Sequence, residues 1–317
     1  MPVWLVTGGS GFLGGHLLSA LAERRMPGVE VMALGRRLPA NLPSEAFLQA
    51  DLNDPSSLRP ALTSTEPAVV FHTAGRTPPA DPETLYLANT LATLHLLDAL
   101  RALPKTTRLV LAGSAAELGP VPVGDLPVRE DYPCRPGDAY GLSKWLASTA
   151  GLAARPPLEV IVARVFNPVG PGQPTSQALG RFADLLSDPG PDPLHLAVGD
   201  LDARRDFIDV RDVARALMAL ALLGHPGQAY HVGTGRSHRV REGLDRLIAL
   251  SGRNVEVEVD PLRPRGRGPD DSRADPTRIM THTGWSPEVG WEQSLADLWD
   301  EARTRPRLPL TGSLAPV

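Results

Sequence analysis

The sequence lacks the features that would place the protein outside the cell or in a membrane. Its 317 residues include one cysteine, Cys134, so the chain cannot form an internal disulfide. The longest apolar run, residues 216–223, is far shorter than the ~20 residues that span a bilayer, and it predicts a buried helix. No basic and apolar leader precedes the strand-like sequence that begins at Val3. We therefore expect a cytoplasmic location and no membrane partner.

The sequence also lacks the charge bias and the motifs of several functional classes. With 32 basic and 36 acidic residues the net charge is -4, which gives no electrostatic reason to expect nucleic acid as a partner. The eight histidines include no pair at metal-ligand spacing with a nearby cysteine, so no metal site is predicted. No Ser-His-Asp order with a nucleophile elbow is present either.

A glycine-rich loop follows the first predicted strand. Val3–Thr7 is apolar apart from its last residue, as expected where both faces of a parallel sheet are covered, and a predicted helix follows the loop. Glycines at every third position allow a tight turn, and backbone N–H groups at the helix start then bind a pyrophosphate. The candidate contacts are Gly8, Gly11, Phe12, Leu13 and Gly14. The alternative is a glycine-rich turn without a ligand.

The second predicted strand, residues 29–34, is followed by Gly35, Arg36 and Arg37. A fold specific for NAD normally has an acid here for the ribose 2′-hydroxyl, whereas arginine suits the 2′-phosphate of NADP. The two arginines therefore favour NADP as the cofactor, with NAD as the second choice. The alternative is that both side chains are solvated and bind nothing.

Two further predicted strands, residues 47–50 and 68–72, also end where cofactor contacts belong in a doubly wound sheet. The candidate contacts that follow them are Asp51, Leu52, Thr73, Ala74 and Gly75.

Tyr140 and Lys144 lie four residues apart on a predicted helix, which puts the phenol and the ammonium on one face, one turn apart. An unperturbed phenol has a pKa of about 10, and a nearby cation can lower that pKa by ~1–3, toward the range of a useful acid or base. Ser114 lies at the carboxyl end of the strand predicted over residues 109–112. Each feature alone is also explained by surface packing or helix capping, but together with the glycine-rich loop they favour catalysis.

The order of these parts resembles the extended short-chain dehydrogenase/reductase superfamily, and within it the NAD-dependent epimerase/dehydratase family. Its nucleotide-sugar branch carries Thr-Gly-x-x-Gly-Phe-x-Gly, a strand-end serine or threonine, and Tyr-x-x-x-Lys, all of which are present here. The resemblance extends over about residues 3–300. Further matching stretches are residues 164–173, 205–214, 232–235 and 283–287.

Residues 198–207 are similar to the stretch typical of GDP-mannose dehydratases and GDP-4-keto-6-deoxy-D-mannose reductases. By this resemblance Asn167 and Arg205 help to hold the diphosphate of a sugar-nucleotide substrate. Arg263 and Arg265, in an arginine run near the C-terminus, are further candidates because forked guanidinium groups suit a diphosphate. Such a run is also typical of a solvated loop.

Three departures from the family pattern narrow the expected activity. Leu118 replaces the family tyrosine of the sugar pocket. Dehydratases place a glutamate two residues after the strand-end serine, and that residue is Ala116 here, with Glu117 displaced by one, so dehydration is not expected. The arginine run lacks the glutamate of the Arg-x-x-Glu arrangement in related enzymes.

The resemblance implies an enzyme that uses NADPH to reduce the C4 ketone of a 4-keto-6-deoxy sugar nucleotide, specifically GDP-4-keto-6-deoxy-D-mannose to GDP-D-rhamnose. Tyr140 would protonate the developing alkoxide, Ser114 would hold the carbonyl oxygen, and Lys144 would tune Tyr140 and bind the nicotinamide ribose. The alternatives are a UDP- or dTDP-sugar 4-epimerase that retains its dinucleotide, and a non-catalytic dinucleotide sensor.

The fold prediction is an α/β protein with a Rossmann-type doubly wound parallel sheet and a smaller C-terminal substrate-binding lobe. The predicted NAD(P)-binding domain comprises residues 1–165, and residues 206–232 return to it. The predicted lobe comprises residues 166–205 and 233–303, and residues 304–317 form a tail. The resemblance also implies a homodimer packed through the helices near 82–103 and 138–154. The first of these helices carries Asn89, which is either a core amide or a functional group.

Overall fold

A computed structural model describes residues 1–24, 26–260 and 270–305. The strands are β1 (Val3–Thr7), β2 (Glu30–Gly35), β3 (Phe47–Gln49), β4 (Val69–His72), β5 (Thr107–Ser114), β6 (Leu158–Val165), β7 (Asn167–Val169), β8 (Leu194–Val198), β9 (Arg204–Arg205), β10 (Phe207–Asp209), β11 (Ala229–Val232), β12 (His238–Arg239) and β13 (Val255–Val259). The α-helices are α1 (Phe12–Arg24), α2 (Pro55–Thr65), α3 (Pro82–Leu85), α4 (Ala92–Arg101), α5 (Ala139–Leu152), α6 (Ala178–Leu186), α7 (Val210–Leu223), α8 (Val240–Ser251), α9 (Thr277–Thr283) and α10 (Trp291–Thr304).

Seven of these strands form one parallel sheet in the order β11-β6-β5-β4-β1-β2-β3. The chain runs from β1 outward through β2 and β3, and then returns to the other side of β1 with β4. Ligands bind such sheets at the carboxyl ends of the strands, where the strand order reverses. The predicted Rossmann-type doubly wound sheet is therefore confirmed.

Helices cover both faces of this sheet, which explains why β1 is buried along its whole length. On one face α1 and α7 contribute Leu17 and Leu217 to a core that also contains Val6. On the other face α2 and α4 contribute Leu62 and Leu96 to the core of that face. The apolar runs of the sequence thus correspond to strands packed between two layers of helices.

A smaller group of elements has a core of its own, which is called the second core from here on. Helices α6, α8 and α10 pack Leu179, Leu244 and Leu295 together, and β8 pairs in parallel with β13 beside them. Between the segments that supply these elements, the chain forms α7, which packs on the main sheet, and β11, which extends that sheet by pairing with β6. The exact lobe bounds given above stay a prediction.

The helix predicted over residues 82–103 is interrupted. After the short α3, residues Tyr86–Leu91 form a π-helical turn, and α4 then runs to Arg101. Asn89 lies buried in this turn, and its side chain is bonded outside the helix. A π turn adds a residue to the helix and is frequent at functional sites.

None of the helices in the described ranges combines the length and the apolar character that a bilayer crossing requires.

Candidate active site

A cleft of about 1430 Å³ opens at the carboxyl ends of the parallel strands. The main sheet contributes the loop after β1, the segments after β4 and β5, and the start of α5, while the second core contributes α6 and β8. Ser114, Tyr140 and Lys144 all line this cleft, although they come from two elements about thirty residues apart in sequence. The structure thus brings the three predicted catalytic side chains to one place.

The glycine-rich loop packs closely on the neighbouring backbone and forms part of the cleft wall. Gly8 has a φ of +76°, and a Cβ there would lie 2.5 Å from the backbone nitrogen of Ala74. A Cβ on Gly14 would overlap the carbonyl oxygen of Gly8. The cleft wall is formed by Gly11, Phe12, Leu13 and Gly14, at the start of α1. This backbone and the helix N-terminus fit the pyrophosphate of a dinucleotide.

The loop after β4 is held to the sheet and to α5 by side-chain bonds. The Thr73 hydroxyl donates to the carbonyl oxygen of Thr7 at 2.6 Å. Asn89 accepts from the backbone N–H of Arg76 at 2.8 Å, donates to its carbonyl at 3.0 Å, and donates to the Ser143 hydroxyl at 2.9 Å. Asn89 is therefore a satisfied buried amide that also reaches the cleft wall, together with Thr73, Ala74 and Gly75.

The cofactor contacts predicted after β2 and β3 lie next to one another but outside the cleft walls. Arg36 and Arg37 follow β2 and are exposed. The Arg36 guanidinium lies 4.0 Å from the Asp51 carboxylate, with 74% of its side chain exposed, so the ion pair is weak. The Leu52 carbonyl accepts a hydrogen bond from His95. Both guanidinium groups remain accessible to an anionic ligand.

Helix capping and close packing fix the catalytic groups. The Asp138 carboxylate caps α5 by accepting from the backbone N–H of Gly141 at 2.7 Å. A Cβ on Gly141 would overlap the carbonyl oxygen of Ala116, so α5 packs directly on the turn after Ser114. The buried Lys144 ammonium donates to the carbonyl oxygen of Ala112 in β5 at 2.5 Å.

The direction of the Tyr140 pKa differs from the sequence prediction. Burial raises the pKa of the phenol; a hydrogen bond with Ser114 lowers it, and the carboxylates of Glu117 and Asp138 raise it further. Burial also lowers the pKa of Lys144, while Glu117 opposes that change. The expected lowering of the Tyr140 pKa by Lys144 was thus wrong for this structure, because burial disfavours the phenolate. Tyr140 remains a protonated donor at neutral pH.

The turn after Ser114 exposes Ala116, at the dehydratase position, to the cleft and buries the neighbouring Glu117. Ala116 lines the cleft, whereas Glu117 is fully buried and does not. The Glu117 carboxylate accepts from the Ser114 backbone N–H and the Ser148 hydroxyl, each at 2.8 Å, and from Arg164 at 3.0 Å. No carboxyl group therefore stands two residues after Ser114.

Two of the four predicted substrate contacts line the cleft. Asn167 donates to the carbonyl oxygen of Asp206 at 3.2 Å, and Arg205 donates to the carbonyl oxygen of Arg204 at 2.8 Å. Both side chains therefore already have one protein partner. Arg263 and Arg265 lie outside the described residues.

Two cations on the cleft wall were missed by the sequence reasoning. Arg76 follows Gly75 after β4, and the half-buried Arg181 projects from α6. Within the described ranges, no hydrogen bond or ion pair engages either guanidinium. The position of Arg76, at a strand end, was a usable signal, whereas nothing in the sequence around Arg181 shows that α6 faces the cleft.

The sequence matches the model of the NAD dependent epimerase/dehydratase family over residues 4–233, which is more than half of the chain. The chain belongs to this family. Its relatives in the family include GDP-6-deoxy-D-mannose reductase from Pseudomonas aeruginosa, at 34% identity, with 95% of this chain and 97% of the relative covered. They also include dTDP-6-deoxy-L-talose 4-dehydrogenase (NAD(P)(+)) from Kitasatospora kifunensis, at 32% identity, with 95% and 96% covered.

Solved structures of the family show the same fold. RMD from Pseudomonas aeruginosa, complexed with NADPH, superposes with a TM-score of 0.84 at 32% identity and covers 96% of this chain and 100% of its own. UDP-glucose 4-epimerase from Thermus thermophilus, in complex with NAD, has a TM-score of 0.83 at 30% identity, with 95% and 99% covered. The predictions of family, fold and an NAD(P)-dependent enzyme type are confirmed. The roles of individual site residues stay predictions.

Proposed function

We propose that this enzyme uses NADPH to reduce the C4 ketone of GDP-4-keto-6-deoxy-D-mannose, giving GDP-D-rhamnose. D-Rhamnose is 6-deoxy-D-mannose, so the proposed product is the compound in the name of the relative that is 34% identical over nearly the whole chain. A second relative, at 32% identity, is named as a 4-dehydrogenase of a dTDP-linked 6-deoxy sugar.

The observation that carries the proposal is the set of groups around Tyr140 and Ser114 in the cleft, called the reacting corner here. Tyr140 is a protonated phenol beside the Ser114 hydroxyl, and Ala116 stands where a dehydratase needs a carboxyl group. Glu117 cannot substitute, because its carboxylate is buried against Arg164. The corner thus offers one proton donor, as the reduction of a ketone requires.

The cofactor, when bound, supplies hydride to the C4 carbon. The Ser114 hydroxyl then donates a hydrogen bond to the carbonyl oxygen, where negative charge develops. Tyr140 gives its proton to that oxygen as the alkoxide forms. The buried Lys144 side chain donates to the carbonyl oxygen of Ala112, lines the cleft one helical turn from Tyr140, and is proposed to bind the nicotinamide ribose.

The second core would bind the GDP portion of the substrate. Arg205 and Asn167 are proposed to contact the diphosphate, and we add Arg181 because its guanidinium lines the same cleft without a partner in the described part of the chain. Charge-assisted hydrogen bonds from arginine are well suited to this anion. At the other end, Arg36 and Arg37 are proposed to meet the 2′-phosphate of NADPH.

The test is to mix the purified enzyme with NADPH and, in turn, GDP-, dTDP- and UDP-linked 4-keto-6-deoxy sugars, while following nicotinamide absorbance. We expect oxidation of NADPH with the GDP-linked ketosugar, and an NMR spectrum of the product that matches GDP-D-rhamnose. Tyr140→Phe is the inactive control. Equal or faster turnover of a dTDP- or UDP-linked ketosugar would contradict the proposed substrate.

A 4-epimerase is the second candidate, because UDP-glucose 4-epimerase from Neisseria gonorrhoeae is 29% identical over 93% of this chain. An epimerase would interconvert UDP-glucose and UDP-galactose with no net change in nicotinamide absorbance. The same assay therefore separates the two activities. Binding of dinucleotide without conversion of any sugar would instead support the sensor.

We further propose a homodimer in the cytoplasm, with no nucleic-acid partner. Leu87, Leu91 and Leu94 are exposed at 43%, 38% and 40% along the π turn and α4, and Leu146 is exposed at 38% on the adjacent α5. Spacings of four and three residues place the first three on one face. A second copy of the same two helices would cover this stripe.

A further inference from the structure

The Glu117 carboxylate bonds to the backbone of Ser114 and to the helix that carries Tyr140 and Lys144, but it does not line the cleft. Its side chain is completely buried, and that of Arg164 is 8% exposed. One carboxylate oxygen accepts from the Ser114 backbone N–H and from the Ser148 hydroxyl, and the other accepts from Arg164. Arg164 also donates to the carbonyl oxygen of Glu130 at 3.4 Å.

These bonds join three elements. Ser114 ends β5, Ser148 lies on α5, and Arg164 lies on β6. Tyr140, Lys144 and Ser148 are spaced by four residues, so Ser148 continues the face of α5 that carries the other two. The carboxylate therefore connects the end of the strand that carries Ser114 with the helix face that carries Tyr140 and Lys144.

The backbone beside the carboxylate carries a glycine that makes room for it. A Cβ on Gly113 would lie 2.5 Å from the Glu117 carboxylate oxygen, so the absence of a side chain at Gly113 lets the carboxylate reach the Ser114 N–H. Ser114 and Glu117 also form a capping box around the turn Ala115–Leu118. The Ser-x-x-Glu spacing of this motif is the sequence signal that could have identified Glu117.

Stability alone does not account for a buried ion pair at this point. Two well-packed apolar side chains often replace such a pair without loss of stability, because desolvation of the charges offsets their attraction. The same two strands carry a second pair, Arg108 and Glu159, near their other ends, where Arg108 donates two bonds at 3.0 and 2.9 Å. That pair is more exposed, at 24% and 36%, and Arg108 also donates to the carbonyl oxygen of Ala221 on α7. In the described part of the chain neither side chain is hydrogen-bonded to Ser114 or α5, so the pair serves as a comparison on the same two strands.

We propose that Glu117 and Arg164 are positioning residues for ketone reduction. Glu117 holds Ser114 and the catalytic face of α5 in register through its hydrogen bonds, and Arg164 holds the Glu117 carboxylate in place within the interior. Burial raises the pKa of Glu117, and the charge of Arg164 opposes that shift. The proposal rests on the catalytic roles of Ser114, Tyr140 and Lys144 given under the proposed function.

The experiment compares two double variants of the full-length enzyme. Glu117→Leu/Arg164→Met removes the proposed positioning pair, and Arg108→Met/Glu159→Leu makes the same exchange at the comparison pair. For the first variant we expect kcat to fall about 10–100-fold, the loss expected when reacting groups are slightly misplaced, with the KM for NADPH nearly unchanged. The comparison variant should keep the wild-type kcat.

A second readout follows the ionisation of Tyr140 itself, without any sugar substrate. The tyrosinate difference spectrum between each enzyme and its Tyr140→Phe form gives the midpoint of that titration in the NADPH complex. Because Glu117 raises the pKa of Tyr140, alongside Asp138, the midpoint should move to lower pH in Glu117→Leu/Arg164→Met only. A pair that only stabilised the fold would leave the midpoint in place.

The pair is merely structural if Glu117→Leu/Arg164→Met folds and keeps both the wild-type kcat and the wild-type midpoint, or if the comparison variant changes both equally. If the double variant does not fold, Ser148→Ala decides, since it removes one bond to the carboxylate and leaves the ion pair. An unchanged kcat in Ser148→Ala would then overturn the proposal. Should the wild type reduce no ketosugar, the proposed function fails, and the Tyr140 midpoint still tests the pair.

Discussion

Burial raises the pKa of the Tyr140 phenol, and the carboxylates of Glu117 and Asp138 raise it further. The spacing of Tyr140 and Lys144 predicted the shared helix face, but not this result, because the pKa depends on neighbours that come from other elements. Tyr140 therefore keeps its proton throughout the neutral range. The direction of proton transfer that suits this state is from the phenol to a developing alkoxide.

The pH dependence of reduction should follow from this raised pKa. The proton donor is present below the pKa of Tyr140, so kcat should stay level through neutral pH and decline only at or above about pH 10, the ordinary phenol range. Tyr140→Phe should lower kcat ~10²–10⁴-fold and leave the affinity for NADPH unchanged. Steady-state rates across pH give kcat and the KM for NADPH, and Tyr132→Phe is the control, at a half-buried tyrosine outside the cleft wall. A decline of kcat already near neutral pH would show that another group limits the rate.

Arg36 and Arg37 should set the preference for NADPH. Charge-assisted bonds to the 2′-phosphate contribute about 1.5–3 kcal/mol each before screening by solvent and salt. Half of the contribution of one bond, to allow for exposure, corresponds to an affinity difference of about tenfold or less. Comparison of kcat/KM for NADPH and NADH at low and high salt measures this preference. The double variant Arg36→Ala/Arg37→Ala should lose it, whereas Arg59→Ala, at an exposed position on α2, should retain it. The arginines do not read the phosphate if the double variant keeps the preference.

Arg205 and Arg181 should act on the substrate rather than on the cofactor. Loss of one charge-assisted contact of ~1.5–3 kcal/mol predicts an increase in the substrate KM of about tenfold or more for each alanine variant. The KM for NADPH should not change. Arg236→Ala, at an exposed position outside the cleft, is the control. An unchanged substrate KM in Arg181→Ala would remove that residue from the site.

Ser114, Tyr140 and Lys144 could be found from the sequence because their signals are local: an apolar run ending in a serine, and a spacing of one helical turn. Arg181 could not be found in this way, since its place on the cleft wall depends on how α6 packs against α8 and α10. Glu117 was noticed only as displaced by one from the dehydratase position. Its role as the buried partner of Arg164 requires β5 and β6 to be neighbours, which is a property of the sheet.

At the scale of elements, strands and glycine turns were predictable, and the interruption of the helix after α3 was not. The apolar residues of β1, β4 and β5 mark buried strands regardless of what surrounds them. By contrast, the π turn Tyr86–Leu91 has no local signal and is associated with bonds from Asn89 to the backbone of Arg76 and to Ser143. An amphipathic pattern cannot report bonds that a helix makes to a distant loop.

Asn89→Ala should therefore destabilise the protein more than an ordinary polar substitution. It leaves the partly buried N–H and carbonyl of Arg76 without the partner they have in Asn89, at about 1–3 kcal/mol for each group that water does not reach. Denaturant unfolding measures the loss. Asn53→Ala, at an exposed position, should stay within ~0.5 kcal/mol of the wild type. Equal stability of the two variants would mean that solvent replaces the Asn89 bonds.

At the scale of the whole molecule, the leucine stripe on the π turn, α4 and α5 predicts the association state. Leu91→Glu/Leu94→Glu places two charges in the proposed interface and should convert a dimer to a monomer, which sedimentation velocity would detect. Leu222→Glu/Leu223→Glu is the matched control, because these leucines are 47% and 54% exposed at the end of α7, away from the stripe. A wild-type monomer, or a dimer in the first variant, would contradict the proposed interface.

The path of the chain between the two cores has a consequence for how such an enzyme acquires new substrates. The second core takes its helices from both sides of α7 and β11, which belong to the main sheet. No single crossover point in the coding sequence can therefore exchange the whole substrate half while leaving the cofactor half intact. Exchange of the substrate half alone would need several crossovers, whereas one substitution on the cleft wall changes a substrate contact and leaves the cofactor half as it is.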